Sequence, residues 1–442
     1  MISTKMKKII YIISLALMFI GCSSSEERNH ILKVYNWADY IDEELIGEFE
    51  QWYEEQTGET VRIIYQTFDI NETMLSKIEL GHEDYDVVCP SDYIIERMLK
   101  NDLLMPIERN FGNTPDYTCN IAPFVKERFS QIDGHGKDAN DYAVAYMWGT
   151  VGLIYNPKYI SGEEAQSWNV LQNPAYKGKL LMKDAFRDVY TSLLVALNKE
   201  AIDNGSKDIR NISFDCSEES IALVEAFLNS IKESVSGWEA DFGKEQMTKE
   251  LAWMNLSWSG DAQWAIDEAA EIGLDLEYTI PSEGSSVWFD GWVIPKYAKN
   301  AKAASYFINF MCKPENALRN MDMTGYVSAV GGEEILESMA DSEEYEAIDA
   351  SYFFGEDSDS VHVNHIMYPD RASIERCAMM HDTDTESLLK MWSRVKGDSA
   401  SAWTYTLICL VFAGLIGAVI YKYTKKRYRI RRKRHVQRKR YK

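Results

Sequence analysis

The segment ILKVYNWADY, residues 31–40, opens the part of the chain from which the fold can be predicted. Its first residues form a strand-like run that ends at Tyr35, and an amphipathic helix is predicted over residues 43–57 with Gly58 as its stop. The same alternation of strand and helix continues from residue 61 to residue 100, with Asn71 in a position to cap one of the helices. This β-α-β-α-β-α order predicts a parallel sheet covered by helices.

Polar and aromatic residues follow the predicted strand ends. In open α/β sheets, ligands bind outside the carboxyl ends of the strands, where both Trp37 and Ser91 lie. The group Trp37, Asp39 and Tyr40 combines a carboxylate with ring faces, which suits an organic cation. An aromatic cluster at a strand end can also be ordinary core packing, so this group alone does not decide the function.

The N-terminus has the pattern of a bacterial lipoprotein signal over residues 1–22. Three lysines precede an apolar run of 12 residues, Ile9 to Ile20, which is too short to span a bilayer. Gly21-Cys22 follows directly, and this position predicts lipidation of Cys22, with residues 23–30 as a tether. An ordinary secretory signal with a chance cysteine is the alternative.

A second membrane signal lies at the C-terminus. Residues 402–421 carry no charge, and 20 residues of helix span about 30 Å, so a transmembrane helix is predicted. The 13 Lys and Arg residues of the basic tail, 422–442, place that tail in the cytoplasm and the rest of the chain outside the inner membrane. Such a tail could also bind nucleic acid or anionic lipid. Topology alone accounts for it, and we predict no nucleic-acid partner.

Between these ends the chain is strongly acidic. Without the signal and the tail, 31 basic residues face all 69 acidic ones, a formal charge near −38, which disfavours nucleic acid as a partner and is compatible with a cationic ligand. Five cysteines remain in this part, an odd number at wide spacing without a Cys-x-x-Cys pair. A metal site and a disulfide scaffold are therefore not expected, although one or two bridges stay open.

The external part is too long for one core, which predicts two lobes. An apolar run over residues 143–155 suits a segment that crosses between lobes, and a helix is predicted to begin within residues 257–261.

With these features the chain resembles the spermidine/putrescine-binding proteins of bacterial ABC importers over about residues 32–397. The resemblance rests on the order and spacing of short segments: Tyr35-Asn36-Trp37 with Tyr40, Asn71-Glu72-Thr73-Met74, Pro90-Ser91 with Tyr93, Trp148-Gly149, Tyr176-Lys177-Gly178, Trp258 with Gly260-Asp261, Trp288-Phe289-Asp290, Gly325-Tyr326 and Tyr368-Pro369-Asp370.

The resemblance implies a type II periplasmic-binding-protein fold, an α/β architecture in which the ligand is held between two lobes of one domain, residues 31–397. One lobe would comprise about 31–144 and 289–330, and the other about 145–288 and 331–397. The protein would then deliver a polyamine to an inner-membrane ABC permease, without enzyme activity, cofactor or metal.

The resemblance also implies the ligand contacts. Asp290 is expected to bind a terminal amine, and Trp258 and Trp288 are expected to enclose the alkyl chain. Asp261 and Asp39 match acids that only some family members carry. The remaining expected contacts match rings and hydroxyls: Trp37, Tyr40, Ser91, Tyr93 and Tyr326.

The chain departs from the family pattern around residues 184–188. Two acids often face the far amine here, whereas this chain has Asp188 at one position and Ala185 at the other, with Asp184 beside it. A late polar contact of some members falls near Met380, which cannot accept a hydrogen bond from an amine. Both departures favour a shorter diamine slightly, and the choice between putrescine and spermidine stays open.

Three alternative functions are weighed against this one. No motif of a hydrolase, zinc protease or phosphate-binding loop is present, which argues against an enzyme. Related folds bind ferric iron or anions, but the candidate residues here are acids and tryptophans, which favour an organic cation. The predicted C-terminal helix also admits a membrane-tethered polyamine sensor.

Overall fold

The structure is a computed structural model that describes residues 28–240, 242–340, 347–349, 351–355, 360–362 and 364–397. The predicted lipoprotein signal, with Cys22, lies outside the described residues, as do the predicted transmembrane helix and the basic tail. In the part of the chain that is described, no helix combines the length and apolarity that crossing a bilayer requires.

The strands lie in two sheets, a large one and the small pair β12–β13. In chain order they are β1 (Ile31–Trp37), β2 (Arg62–Phe68), β3 (Val87–Val88), β4 (Leu104–Met105), β5 (Ala143–Tyr155), β6 (Leu180–Lys183), β7 (Val235–Glu239), β8 (Met254–Trp258), β9 (Glu277–Thr279), β10 (Ser285–Pro295), β11 (Val327–Ser328), β12 (Ala347–Asp349), β13 (Ser360–His362) and β14 (Cys377–Met379).

Helices connect most of these strands. In chain order they are α1 (Glu44–Thr57), α2 (Asn71–Glu79), α3 (Asp92–Lys100), α4 (Pro123–Ser130), α5 (Ala139–Tyr142), α6 (Gly162–Ala165), α7 (Phe186–Leu197), α8 (Lys199–Asp203), α9 (Glu218–Ile231), α10 (Gly243–Thr248), α11 (Ser259–Glu271), α12 (Ala301–Met311), α13 (Pro314–Thr324), α14 (Glu333–Ala340), α15 (Ser351–Phe354), α16 (Arg371–Ile374) and α17 (Thr385–Gly397), with 3-10 turns at Tyr117–Asn120, Trp168–Gln172, Pro174–Tyr176 and Ile212–Phe214.

The large sheet is mixed, with the strand order β2-β1-β3-β10-β5-β8-β6-β7. The predicted parallel arrangement is correct for β1, β2 and β3. It does not extend to the whole sheet, because β10 runs antiparallel to both β3 and β5. A second parallel group, β8-β6-β7, lies beyond β5.

Two long, fully buried strands, β10 and β5, lie between the two parallel groups in the sheet. The first half of β5 pairs with β10 and β11, while its second half, from Val151 to Tyr155, pairs with β8. Strand β5 therefore connects the two parallel groups, as the apolar run over residues 143–155 predicts. We call the group with β1, β2 and β3 the first lobe and the group with β6, β7 and β8 the second lobe.

One local prediction was wrong. Asn71 does not cap helix α2: Ile70 occupies the cap position, and the Asn71 side chain donates hydrogen bonds to Ser91 Oγ and Tyr93 Oη at 3.0 and 3.1 Å. Tertiary contacts override the local signal there. The helix predicted to begin within residues 257–261 is α11, which begins at Ser259 directly after strand β8.

The described chain is anchored at its start by Arg28, which lies within the predicted tether. Its guanidinium contacts Asp84 and Asp86 at 2.8 Å each, and the Asp86 side chain is fully buried. The five cysteines of the described residues are free thiols: Cys89, Cys119, Cys216, Cys312 and Cys377.

Candidate functional site

The candidate site is built from strand ends of the second lobe and from the middle of β10. Strands β6 and β7 are parallel, and after a register shift between Leu180 and Leu181 they pair Lys183 with Glu239 at their carboxyl ends. Strand β8 runs parallel beside them and ends at Trp258. Three side chains of different chemistry therefore meet at one edge of the sheet.

Asp290 lies in β10 where the register with β5 shifts between Asp290 and Gly291. Its Oδ2 accepts a hydrogen bond from Tyr40 Oη at 2.9 Å, whereas its buried Oδ1 has no hydrogen-bond partner among the described residues. Burial raises the pKa of Asp290 to about 7, and the nearby polar groups of Ser91 and Tyr40 oppose this rise while the charge of Asp188 assists it. The carboxylate is thus held in a place that disfavours its own charge.

Asp188 lies in the first turn of α7. Its Oδ1 accepts a hydrogen bond from Trp258 Nε1 at 3.0 Å, and burial of the carboxyl raises its pKa to about 6. Within the described part of the chain, no ion pair joins the carboxylates of Asp188 or Asp290 to a lysine or arginine. Asp290 is buried, and a buried carboxylate without a cationic partner is costly. Asp188 is half-buried, and the charges of Lys183 and Arg187 partly offset the effect of burial on its pKa. Both groups can accept a cationic ligand, and Asp290 gains more from one.

The aromatic walls meet at Tyr326. Its ring lies 5.4 Å from the centroid of Trp288 and 5.4 Å from that of Tyr40, with edge-on geometry in both pairs. Two glycines allow this approach, because a Cβ on Gly260 would lie 2.2 Å from the Tyr326 ring and one on Gly149 would lie 2.6 Å from the Trp288 ring. Rings and backbone are therefore packed without spare room.

Asp261, in the first turn of α11, is already paired with cations. Its Oδ2 contacts Lys183 Nζ at 2.6 Å, and its Oδ1 accepts from Tyr326 Oη at 2.9 Å and lies 3.5 Å from Lys244 Nζ. Burial acts to raise the pKa of Asp261, but the two ammonium groups hold it below its ordinary value. Asp261 thus differs from Asp188 and Asp290, although all three belong to the predicted site.

A polar group from the first lobe borders this cluster. Ser91 and Tyr93 are buried and both accept hydrogen bonds from Asn71. The guanidinium of Arg187, from the second lobe, lies over the Tyr93 ring at 4.3 Å and contacts Glu72 at 3.6 Å. Arg187 therefore connects the two lobes beside Asp188.

The other predicted residues lie at the margin. Trp37 is half-buried, and its ring packs at 4.4 Å from Phe68. Asp39 is exposed and adopts a left-handed backbone with φ 50°, and Asp184 is exposed as well. The structure brings neither of these two carboxylates into the buried cluster, and their role in ligand binding stays a prediction.

Sequence reasoning missed three charged residues of the cluster: Lys183, Glu239 and Asp92. Lys183 and Glu239 each end a short apolar strand, a position that the strand-end rule could have singled out. Asp92, next to Ser91, is fully buried with an unpaired Oδ2, and burial raises its pKa well above the ordinary range. The surroundings of Asp92 therefore disfavour its charged form.

The arrangement offers two unpaired carboxylates between aromatic rings. Such a site can accept ammonium groups and cover the methylenes between them. Among the described residues, no group of three or more His, Cys, Asp or Glu side chains could hold a metal ion.

Comparison with known protein families identifies the family of this chain. Residues 48–347 match the family described as bacterial extracellular solute-binding protein. The chain belongs to this family. The prediction that this solute-binding protein is not an enzyme is thereby confirmed.

Two individual relatives show how similar the chain is to named solute-binding proteins. The solute-binding protein is 27% identical over 322 residues to the spermidine/putrescine-binding periplasmic protein of Escherichia coli strain K12, covering 72% of this chain and 82% of that one. It is 26% identical over 326 residues to the putrescine-binding periplasmic protein of the same strain, covering 71% and 82%. The resemblance stated from the sequence is confirmed.

A solved structure supports the fold. The spermidine/putrescine ABC transporter substrate-binding protein of Streptococcus pneumoniae superposes with a TM-score of 0.61 at 27% identity, covering 83% of this chain and 98% of that one. The two-lobed α/β fold of periplasmic binding proteins is therefore confirmed for this solute-binding protein.

Proposed function

We propose that this protein captures a polyamine, putrescine or spermidine, between its two lobes and delivers it to an ABC permease. The observation that carries the proposal is Asp290, a buried carboxylate with an unpaired oxygen and no cationic partner among the described residues, set beside the rings of Tyr40 and Trp288. The names of the E. coli and S. pneumoniae relatives supply the ligand class.

In the proposed complex, Asp290 binds one ammonium and Asp188 binds the other. The indoles of Trp258 and Trp288 cover the methylenes, and hydroxyls of Tyr40, Ser91, Tyr93 and Tyr326 line the cleft. Trp37, Asp39 and Asp184 are proposed to act at the margin. Each ammonium then meets a carboxylate, which removes the cost of two isolated buried charges.

The test is calorimetric titration of the detergent-purified full chain with putrescine, cadaverine, spermidine and spermine. Tight binding of at least one amine, lost in Asp290→Asn, is the expected result. A folded protein that binds none of the four amines would reject the polyamine proposal and redirect the search to other organic cations.

The lobe boundaries are proposed as predicted from the sequence, about 31–144 with 289–330 and about 145–288 with 331–397. The switch of β5 from β10 and β11 to β8 supports a crossing in this region.

We further propose the membrane arrangement: lipidation at Cys22, a tether up to residue 30, a transmembrane helix over 402–421 and a cytoplasmic tail over 422–442. These segments would hold the lobes beside the permease. Deletion of residues 402–442 should then weaken uptake at low external polyamine and leave the affinity unchanged. Unaltered uptake would exclude the tether and leave a sensor role as the alternative to test.

A further inference from the structure

Lys183 has the surroundings that a bound ligand ammonium would have. Its Nζ lies 2.6 Å from Asp261 Oδ2, 3.0 Å from Glu239 Oε1 and 2.7 Å from the carbonyl oxygen of Ala240. An ammonium has three N–H donors, so these acceptors use all of them. The Lys183 residue is 1% exposed, and the group is therefore fully enclosed.

An aromatic face completes this enclosure. Lys183 Nζ lies over the Trp258 ring at 4.3 Å from its centroid, a cation–π contact. Trp258 is one of the two walls expected to cover the ligand, and its Nε1 donates to Asp188. One face of this wall is thus occupied by a side chain of the protein itself.

We propose that Lys183 permanently fills an ammonium-binding subsite of the cleft and so restricts the ligand to amines with two positive charges. The inference rests on the proposed function and goes further, because it names the ligand subclass and the residue that sets it. Of the three predicted site acids in the cluster, Asp261 is neutralised internally. Only Asp188 and Asp290 remain for the ligand.

Glu239 supports the view that this subsite is built rather than incidental. Its Oε1 accepts a hydrogen bond from Asn255 Nδ2 at 2.9 Å, and its Oε2 accepts from the backbone N–H of Gly243 at 3.0 Å. The carboxylate is fully buried, and these two hydrogen bonds fix its orientation independently of Lys183. Two oriented acids, a carbonyl and an indole form a complete receptor for one ammonium.

A triamine would bring one charge more than the cleft can pair. Its third ammonium would have to lose water without gaining a carboxylate, which is unfavourable in a buried site. A diamine such as putrescine matches the two unpaired carboxylates. The full-length protein is therefore expected to bind putrescine at least tenfold more tightly than spermidine.

The decisive variant is Lys183→Ala, which removes the ammonium and vacates the space that it fills. Calorimetric titration should show that the ratio of the spermidine to the putrescine dissociation constant is at least tenfold lower than in the unmodified protein. An unaltered ratio in a folded Lys183→Ala protein would overturn the inference.

Removing Lys183 leaves Asp261 and Glu239 without their cation, so this variant can fail to fold. A second variant, Asp261→Asn, keeps Lys183 paired with Glu239 and tests the same idea. The loss of putrescine affinity should be at least tenfold smaller in Asp261→Asn than in Asp290→Asn, because Asp261 is paired with Lys183 and Tyr326. An equal loss in the two variants would show that Asp261 binds the ligand directly and would refute the inference.

The outcomes separate this inference from the proposed function. If the folded, unmodified protein binds no amine, the proposed function fails and the inference fails with it. If it binds amines but Asp261→Asn or Lys183→Ala contradicts the expected pattern, only the assignment of Lys183 is wrong.

Discussion

Replacing Asp290 by Asn should make the ligand-free protein more stable and its ligand complex weaker. Asn has nearly the shape of a protonated Asp and carries no charge at any pH. It therefore keeps a partner for Tyr40 Oη and removes a carboxylate whose charge the surroundings disfavour. The opposite signs of the two effects distinguish a binding residue from a structural one.

The gain in stability follows from the pKa of Asp290. Burial raises this pKa from 3.8 to about 7, so the folded protein holds a proton that the unfolded chain loses near pH 4. Stability is therefore lost as the pH rises from about 4 to 7. With about 1.4 kcal/mol per pH unit, the loss approaches roughly 4 kcal/mol at pH 8, as an upper bound, and is about 1.5 kcal/mol at pH 5.

The loss in affinity follows from the charge pair. Truncating one partner of a buried, hydrogen-bonded charge pair costs about 2–5 kcal/mol. A difference of about 1.4 kcal/mol is tenfold in the dissociation constant, so Asp290→Asn should weaken polyamine binding by roughly 30-fold to several thousandfold.

Urea unfolding of the ligand-free variant at pH 5 and pH 8, followed by calorimetric titration, measures both effects. Asp275→Asn is the matched control, because Asp275 is exposed and the change removes the same charge. The control should alter stability and affinity little at either pH. Any of three results would refute the reasoning. Asp290→Asn could be less stable than the unmodified protein, its gain in stability could fail to grow from pH 5 to pH 8, or its dissociation constant for the polyamine could be unchanged.

Three further predictions follow from the same geometry. The carboxyls of Asp290 and Asp188 have pKa values raised to about 7 and about 6, and both must be ionised to bind an ammonium group. The affinity should therefore rise from pH 5 to pH 8. Below pH 7 binding should release protons, which calorimetric titrations in two buffers of different ionisation enthalpy measure. Gly149→Ala should destabilise the protein by about 1–3 kcal/mol and weaken ligand binding, since its Cβ would lie 2.6 Å from the Trp288 ring; Gly47→Ala, with nothing within 4 Å, should not lower the melting temperature. Arg28→Ala should cost about 1–3 kcal/mol in urea unfolding without changing the affinity, because it removes a cation from the fully buried Asp86.

The sequence predicted the elements whose signals are local. Strand β1 and helix α1 follow from hydrophobic periodicity, and the apolar run over residues 143–155, which predicts a segment that crosses between lobes, has the bounds of strand β5. Helix α2 was predicted with Asn71 as its cap, but Asn71 bonds to residues 20 and 22 positions further along the chain. Local capping rules cannot anticipate a partner from another element.

The same limit applies to the site. Resemblance to a family brought Asp290, Trp288 and Tyr326 into the prediction, and the structure places their side chains close together through Tyr40. The partner of Asp261, in contrast, lies 78 residues away in the sequence, at the end of β6. Motif spacing identified the acid and could not show that a lysine of the same chain already neutralises it.

Asp261 and Asp290 show two ways of holding a carboxylate in one buried cleft. Asp261 is matched by Lys183, and the charges that this pair buries are satisfied whether or not a ligand is present. Asp290 is left with an unpaired oxygen and a pKa raised to about 7, so its surroundings are least favourable before a cation arrives. A ligand ammonium would relieve that cost, and the free energy stored in the ligand-free site would contribute to binding. The position of the unpaired carboxylates, rather than the total number of acids, therefore decides where a cation gains most by entering the cleft.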